Sequence, residues 1–303
     1  MMLFPSIFFL FVISSCSTTP DKARMDLERM NVAFDDNTFV TKSGEGDIEA
    51  VKLFLDAGID PNITDKEGET ALVAAAKAGR QKVTELLLAK GADIEGRDGK
   101  YDGTPLVWAA LNGHTDTVRL LLSKGADINA RENHNGMTAL QAAAFRGHAG
   151  TVAAILDNGA DIETRDKYGR TPLIWGARGG DAKTVALLLN RGAGLETLEE
   201  EYGQSALIAA AMMGHTDVET LLLDRGANIE KTDRDGKTPL MWAAQYGRVE
   251  TVELLLKRGA NADAKDNKGR TAMWWTRENK RKKTREKTRE ILRKAGAVAE
   301  EGR

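Results

Sequence analysis

The sequence predicts an all-α solenoid of about eight helix–turn–helix repeats joined by short hairpin-like loops, and three observations carry that expectation. A Thr/Ser-Pro/Ala-Leu/Met triplet recurs from Thr70, Thr104, Thr138, Thr171, Ser205, Thr238 and Thr271, at spacings of 34, 34, 33, 34, 33 and 33 residues. In the same register an aliphatic run closes on Gly58, Gly91, Gly125, Gly159, Gly192, Gly226, Gly259 and Gly296. The 303 residues are 42% hydrophobic and 29% charged, too apolar for a disordered chain. Because Cys16 is the single cysteine, no internal disulfide is available and packing alone must hold the fold.

From the N-terminus, residues 1–15 (MMLFPSIFFLFVISS) carry no charge and are too short to span a bilayer comfortably. Their length is that of a signal-peptide apolar region. Ile13-Ser14-Ser15-Cys16 then resembles a bacterial lipobox, in which small residues admit the peptidase and the thiol takes up diacylglycerol. The resemblance implies a lipidated Cys16 as mature N-terminus. Ser17, where an Asp is lacking, implies sorting to the outer membrane, facing the periplasm. No Lys or Arg precedes the apolar core, which departs from that pattern. Residues 16–30 are expected to form the lipidated cysteine and a short tether, residues 31–299 the repeat domain, and residues 300–303 a tail.

One unit, TPLVWAALNGHTDTVRLLLSKGADINA from Thr104, shows how the pattern encodes structure. Thr104 can cap a helix whose first position is Pro105, where a missing N–H costs nothing. Leu106, Ala109 and Ala110 share a face, and Gly113 supplies the positive φ that ends the helix. Thr115 is expected to cap a second helix, with Val118, Leu121 and Leu122 at i, i+3 and i+4. A hairpin this small cannot bury its own apolar face, so neighbours must stack. These motifs, with NGHTDTVRLLLSKGADINA and DGKTPLMWAA, resemble the ankyrin repeat over roughly residues 34–299.

That resemblance implies a non-catalytic protein-binding scaffold. The histidine that follows the triplet in the family is here Val107, Gln141, Ile174, Ile208 and Met241. Since that residue ties adjacent loops, somewhat looser loops are expected. Residues 31–66 and 267–299 read as caps: Asn37-Thr38-Phe39 replaces the first triplet, and the last unit ends in a basic helix from Lys280 to Arg289. Glu278, Glu286 and Glu290 interrupt its charge and no aromatic falls between residues 276 and 290, which favours a solvated face.

The residues offer little for catalysis. His114, His148 and His215 occupy the same position in different repeats, too far apart to share an ion, and His134 lies alone in a loop. No phosphate-binding loop, nucleophile elbow or CxxC pair is present, and Glu199-Glu200-Glu201 lacks the alternating ligands of a calcium loop. No cofactor, metal or catalytic residue is therefore expected, and a formal charge of −2 gives no long-range attraction to nucleic acid.

Binding has better candidates. The residues just before each helix-ending glycine are Lys77, Leu111-Asn112, Phe145-Arg146, Arg178, Met212-Met213 and Gln245-Tyr246. Apolar and aromatic groups edged by arginine at water-facing helix ends are what a partner-binding groove requires. Trp108, Trp175 and Trp242 alternate with Ala74, Ala142 and Ala209. The alternation reads either as a recognition strip or as interlocking of large on small, with interlocking favoured. Tyr101, Tyr168 and Tyr202 stand at equivalent loop tips. The expected function is protein binding by a monomer anchored in the bacterial cell envelope. The alternative is a secreted effector or immunity-type protein acting on a protein of another cell, and Cys16 separates the two.

Overall fold

The computed structural model describes residues 19–297, so the signal region, Cys16 and the tail from residue 300 lie outside the described residues. A first helix, α1 (Pro20–Arg29), precedes eight helical hairpins. Their inner helices are α2 (Asp36–Glu45), α4 (Ala71–Lys77), α6 (Pro105–Leu111), α8 (Ala139–Phe145), α10 (Pro172–Gly179), α12 (Ala206–Met213), α14 (Pro239–Tyr246) and α16 (Ala272–Trp275). The outer helices are α3 (Ile48–Asp56), α5 (Gln81–Ala89), α7 (Thr115–Ser123), α9 (Ala149–Asp157), α11 (Ala182–Asn190), α13 (Thr216–Asp224), α15 (Val249–Lys257) and α17 (Lys282–Lys294). A 3₁₀ turn, Thr276–Glu278, takes up part of the longer last unit. Inner helices pack on inner, outer on outer, and each inner helix on its own partner, as an all-α repeat solenoid requires.

The inner helices start as the triplets predict. The Thr104, Thr171, Ser205 and Thr238 side chains accept the N–H of Val107, Ile174, Ile208 and Met241, and Pro105, Pro172 and Pro239 stand at the first turn. Their middles are buried alanines, Ala109-Ala110, Ala143-Ala144 and Ala243-Ala244 among them, which let neighbouring helices approach closely. At Gly179 even one carbon is too many: a Cβ there would overlap the Phe145 carbonyl oxygen of the preceding inner helix.

The outer helices differ from expectation at their start. Thr115 is inside α7 and does not cap it; its hydroxyl bonds that of Thr151 in the next unit, at 2.8 Å. The boundary residue is His114, whose Nε2 lies 3.1 Å from the Lys77 carbonyl oxygen. His148 and His215 repeat this on Leu111 and Arg178, also at 3.1 Å, so each ring donates Nε2–H one repeat backwards. Arg80 and Arg248 do the same from their Nε to Gly44 and Met212. The glycine before each such residue leaves room for a side chain of the next repeat: at Gly113, φ is +74° and a Cβ would fall 2.6 Å from His148 Nδ1.

The tether expected to run to residue 30 is corrected over most of its length. Thr19 caps α1 and Pro20 opens it, and Ala23 and Leu27, one turn apart, are fully buried as the helix packs against α3. Burying that face stabilises the helix more than solvating it would. The first hairpin then begins at Asp35, whose carboxylate accepts both the N–H and the hydroxyl of Thr38. Among the described residues no helix is long and apolar enough to cross a membrane.

Candidate binding groove

An acidic residue in each loop organises the groove edge: Asp65, Asp98, Glu132, Asp166, Glu199, Asp233 and Asp266. Each accepts N–H groups of its own turn; Glu199, for example, takes those of Glu201, Tyr202 and Gln204 at 2.9, 2.6 and 3.1 Å. A backbone bond from the acidic residue's N–H closes the same loop, as from Asp166 to Arg170 and from Glu199 to Gln204. Among the described residues the hairpin character stops there, at isolated antiparallel bridges such as Thr64–Thr70 and Arg131–Thr138.

Four loop acids also hold a tryptophan. The indole N–H of Trp108, Trp175, Trp242 and Trp275 donates to Asp98, Asp166, Asp233 and Asp266 at 2.7, 3.1, 2.8 and 3.1 Å. Each tryptophan is therefore a staple from inner helix to loop, a role outside both sequence readings. Where alanine replaces it, the loop acid is the longer Glu132 or Glu199 at Ala142 and Ala209, and Asp65 in the first such unit, at Ala74. The loops are also tied along the stack, Asn133 N–H to Tyr101 and Arg234 N–H to Tyr202 at 2.8 Å, and Glu200 N–H to Tyr168 at 3.0 Å. Buried Gln141 donates to the carbonyls of Thr164 and Arg170, at 3.1 and 2.7 Å. Acid, indole and backbone bonds thus tie the loops where the family's histidine is missing.

Electrostatics differ among these acids. Burial pushes the Asp98 carboxyl up, but the N–H groups of Tyr101, Trp108 and Gly103 outweigh it and leave it below the usual carboxylate range. Asp266 ends low as well: burial raises it, and the N–H groups of Arg270 and Lys268, then the Arg270 guanidinium, outweigh that. Asp233 ends high, because burial there exceeds what its donors return. Its neighbour Lys237, only 5% exposed, sits with Nζ 4.1 Å from the Trp242 ring and 3.5 Å from that of Trp275. Burial holds that ammonium below the ordinary lysine range, while the two ring faces and Gln245 Oε1 at 3.1 Å compensate it.

The candidate contact residues fall into three groups. Tyr101, Tyr202 (55%) and Tyr246 (47%) are exposed, as are Lys77 and Arg146. Tyr246 stacks on Trp242 with ring centroids 5.8 Å apart, and Lys77 pairs with Glu69 at 3.1 Å and lies over Trp108. Partly covered are Trp108, Leu111, Asn112, Phe145, Tyr168, Arg178, Met213, Trp242 and Gln245. Asn112 already spends its amide on the Trp108 carbonyl. Met212 (8% exposed) is a correction, since it was expected to present an open face; Trp175 (5%) is covered too, which removes it from a recognition strip and agrees with the favoured reading of large on small. Phe145 meets Trp175 edge-on at 5.2 Å, which accounts for part of that cover.

These residues bound two neighbouring notches. One, of about 340 Å³, is mostly apolar and is walled by Trp108, Leu111, Met137, Ala142 and Phe145. Ala142 beside Trp108 leaves space here that no tryptophan fills. The other, of about 460 Å³, is walled by Tyr168, Arg178, Tyr202, Gln204, Trp242 and Tyr246. Sequence reasoning missed Met137, Gln204, Lys237 and the loop acids. The acids had a signal, their own 33–34-residue period a few positions before each triplet.

A family profile for ankyrin repeats (3 copies) matches residues 40–132, 130–199 and 194–266, together well over half of the chain. Serine/threonine-protein kinase 12 of Arabidopsis thaliana is 43% identical over 63 residues, 21% of this chain and 14% of that protein. An ankyrin repeat-containing protein of Treponema pallidum (strain Nichols) is 35% identical over 69 residues, 23% of each. The chain thus spans less than a quarter of either relative's length, and the kinase likeness is confined to its repeats. The crystal structure of the human ASB11 ankyrin repeat domain superposes with a TM-score of 0.65 at 26% identity, covering 74% of this chain and 98% of that one. Ankyrin-repeat domains in general mediate protein–protein interaction and are typically non-catalytic scaffolds. With repeats, caps and groove all in that arrangement, this chain belongs to the ankyrin-repeat family.

Proposed function

We propose that the protein is a non-catalytic, monomeric binding scaffold of the bacterial cell envelope, held by a lipid on Cys16 and capturing a partner protein through the groove and loop tips. The observation that carries this reading is the row of aromatic and aliphatic groups on the groove side, Leu111, Phe145, Met213 and Tyr246, that the fold leaves wholly or partly uncovered. A helix end facing water gains nothing from such residues, whereas an interface does. The lipobox-like Ile13-Ser14-Ser15-Cys16 supports the anchor and, with it, the outer membrane facing the periplasm.

Two experiments test the two halves. Metabolic labelling with a palmitate analogue is expected to mark the protein and to be lost on Cys16→Ser; unlabelled wild type removes the anchor. The full chain used as bait in solubilised envelope should retain a partner, and the Leu111→Ala/Phe145→Ala/Tyr246→Ala variant should lose it at unchanged helicity. Undiminished capture by that variant removes the groove.

A further inference from the structure

The larger notch holds a cation with no ion-pair partner among the described residues. The Arg178 guanidinium lies partly buried at the end of α10, 5.8 Å from the Trp175 ring, and makes no ion pair or hydrogen bond among the described residues. Burial, and after it repulsion from Arg170, holds it below the ordinary arginine range, so its charge is under-compensated. The two buried acids nearby are already committed. Both Asp166 oxygens are taken, by backbone N–H groups on one side and by Arg170 and Trp175 on the other. Glu199 is spent on three backbone N–H groups, and Glu201, on the exposed rim of the same notch, makes no ion pair with Arg178. Tyr168, Tyr246 and Gln204 also line the notch, and their side chains make no hydrogen bond among the described residues.

Arg178, Tyr168, Tyr246 and Gln204 around one space are a set rich in donors, and its complement is a planar anion with acceptors on both oxygens. We propose that this notch receives the side-chain carboxylate of an Asp or Glu in the partner protein, seated on Arg178 between Tyr168 and Tyr246. The proposal rests on the groove-binding reading and narrows it to a partner segment carrying an acidic residue.

The test is selection of a phage-displayed library of random short peptides on the immobilised full chain, in parallel with Arg178→Met, Arg178→Glu and Phe145→Ala/Tyr246→Ala variants. Displayed peptides have no free C-terminus, so only side-chain carboxylates are sampled. Wild type is expected to enrich peptides containing Asp or Glu. A synthetic copy should bind Arg178→Met about tenfold or more weakly, as loss of one charged hydrogen-bonded contact requires. Arg178→Glu should shift the selection towards Lys and Arg, a change of preference that mere loss of structure cannot produce. Enrichment without acids that vanishes in the Phe145/Tyr246 variant overturns the carboxylate assignment and leaves the groove standing. Enrichment indifferent to every variant overturns both. No enrichment on wild type overturns the carboxylate assignment, and partner capture from envelope then decides the groove.

Discussion

The tryptophan-bearing repeats and the alanine-bearing ones solve the same problem with different parts. In the units of α6, α10 and α14 a short Asp binds its own loop through Oδ1 and an indole N–H through Oδ2, which in Asp98 takes the Gly103 N–H as well. In the units of α8 and α12 a longer Glu serves its turn's N–H groups alone, because Ala142 and Ala209 bring no indole. The difference teaches that groove shape and loop rigidity are set together. The stapling ring makes a wall, and the missing ring makes a space beside it, as Trp108 and Ala142 do around the apolar notch.

The sharpest way to break this comparison is to remove an acid from each class. Asp166→Ala strands Trp175, Arg170 and two backbone N–H groups in a covered site and is expected to cost about 3–5 kcal/mol. Glu132→Ala strands backbone N–H groups in a more open loop and should cost about 2 kcal/mol. Urea unfolding followed by circular dichroism measures both, and equal costs would erase the distinction.

A second test uses an exception within the alanine class. Glu219, on α13 behind Ala209, stands where α7, α9, α11 and α15 carry Val118, Val152, Val185 and Val252. It is fully buried, with one oxygen bonded by Thr251 at 2.8 Å and the other unpartnered, and burial pushes its carboxyl up to about 7. The folded state therefore binds the proton that the unfolded chain releases near 4.5, and stability falls as pH rises from there to about 7. Glu219→Gln should be neutral near pH 4 and stabilising by up to about 3 kcal/mol above pH 8. A pH-independent difference would contradict the buried-acid account.

Smaller effects follow. Trp175→Phe keeps the ring and loses the bond to Asp166, for about 2 kcal/mol in the same unfolding assay. His148→Ala removes one bond to the preceding repeat and should cost about 1 kcal/mol. Tyr246→Ala, on an exposed ring, should change stability by less than about 0.5 kcal/mol while reducing partner capture.

The repeat architecture was legible because two residue markers kept one period and each had a structural reason: a capping hydroxyl and a helix-ending glycine. Helix α1 was equally legible and was overlooked. Thr19-Pro20 is the same opening signal as Thr104-Pro105, and Ala23 and Leu27 share a face, but charged neighbours disguised them as a tether. The apolar notch could be read from Leu111 and Phe145 alone. The unpaired state of Arg178 could not, since it depends on where the oxygens of Asp166 and Glu199 turn after folding. Nor could the cover over Met212.

The staple between loop acid and indole is the claim on which groove shape and loop order both depend, and the five tryptophans allow a direct measurement. In a ¹H–¹⁵N spectrum the indole N–H groups of Trp108, Trp175, Trp242 and Trp275 should exchange slowly with solvent. That of Trp274, which makes no such bond among the described residues, should exchange fast. Five indole signals exchanging alike would contradict the account.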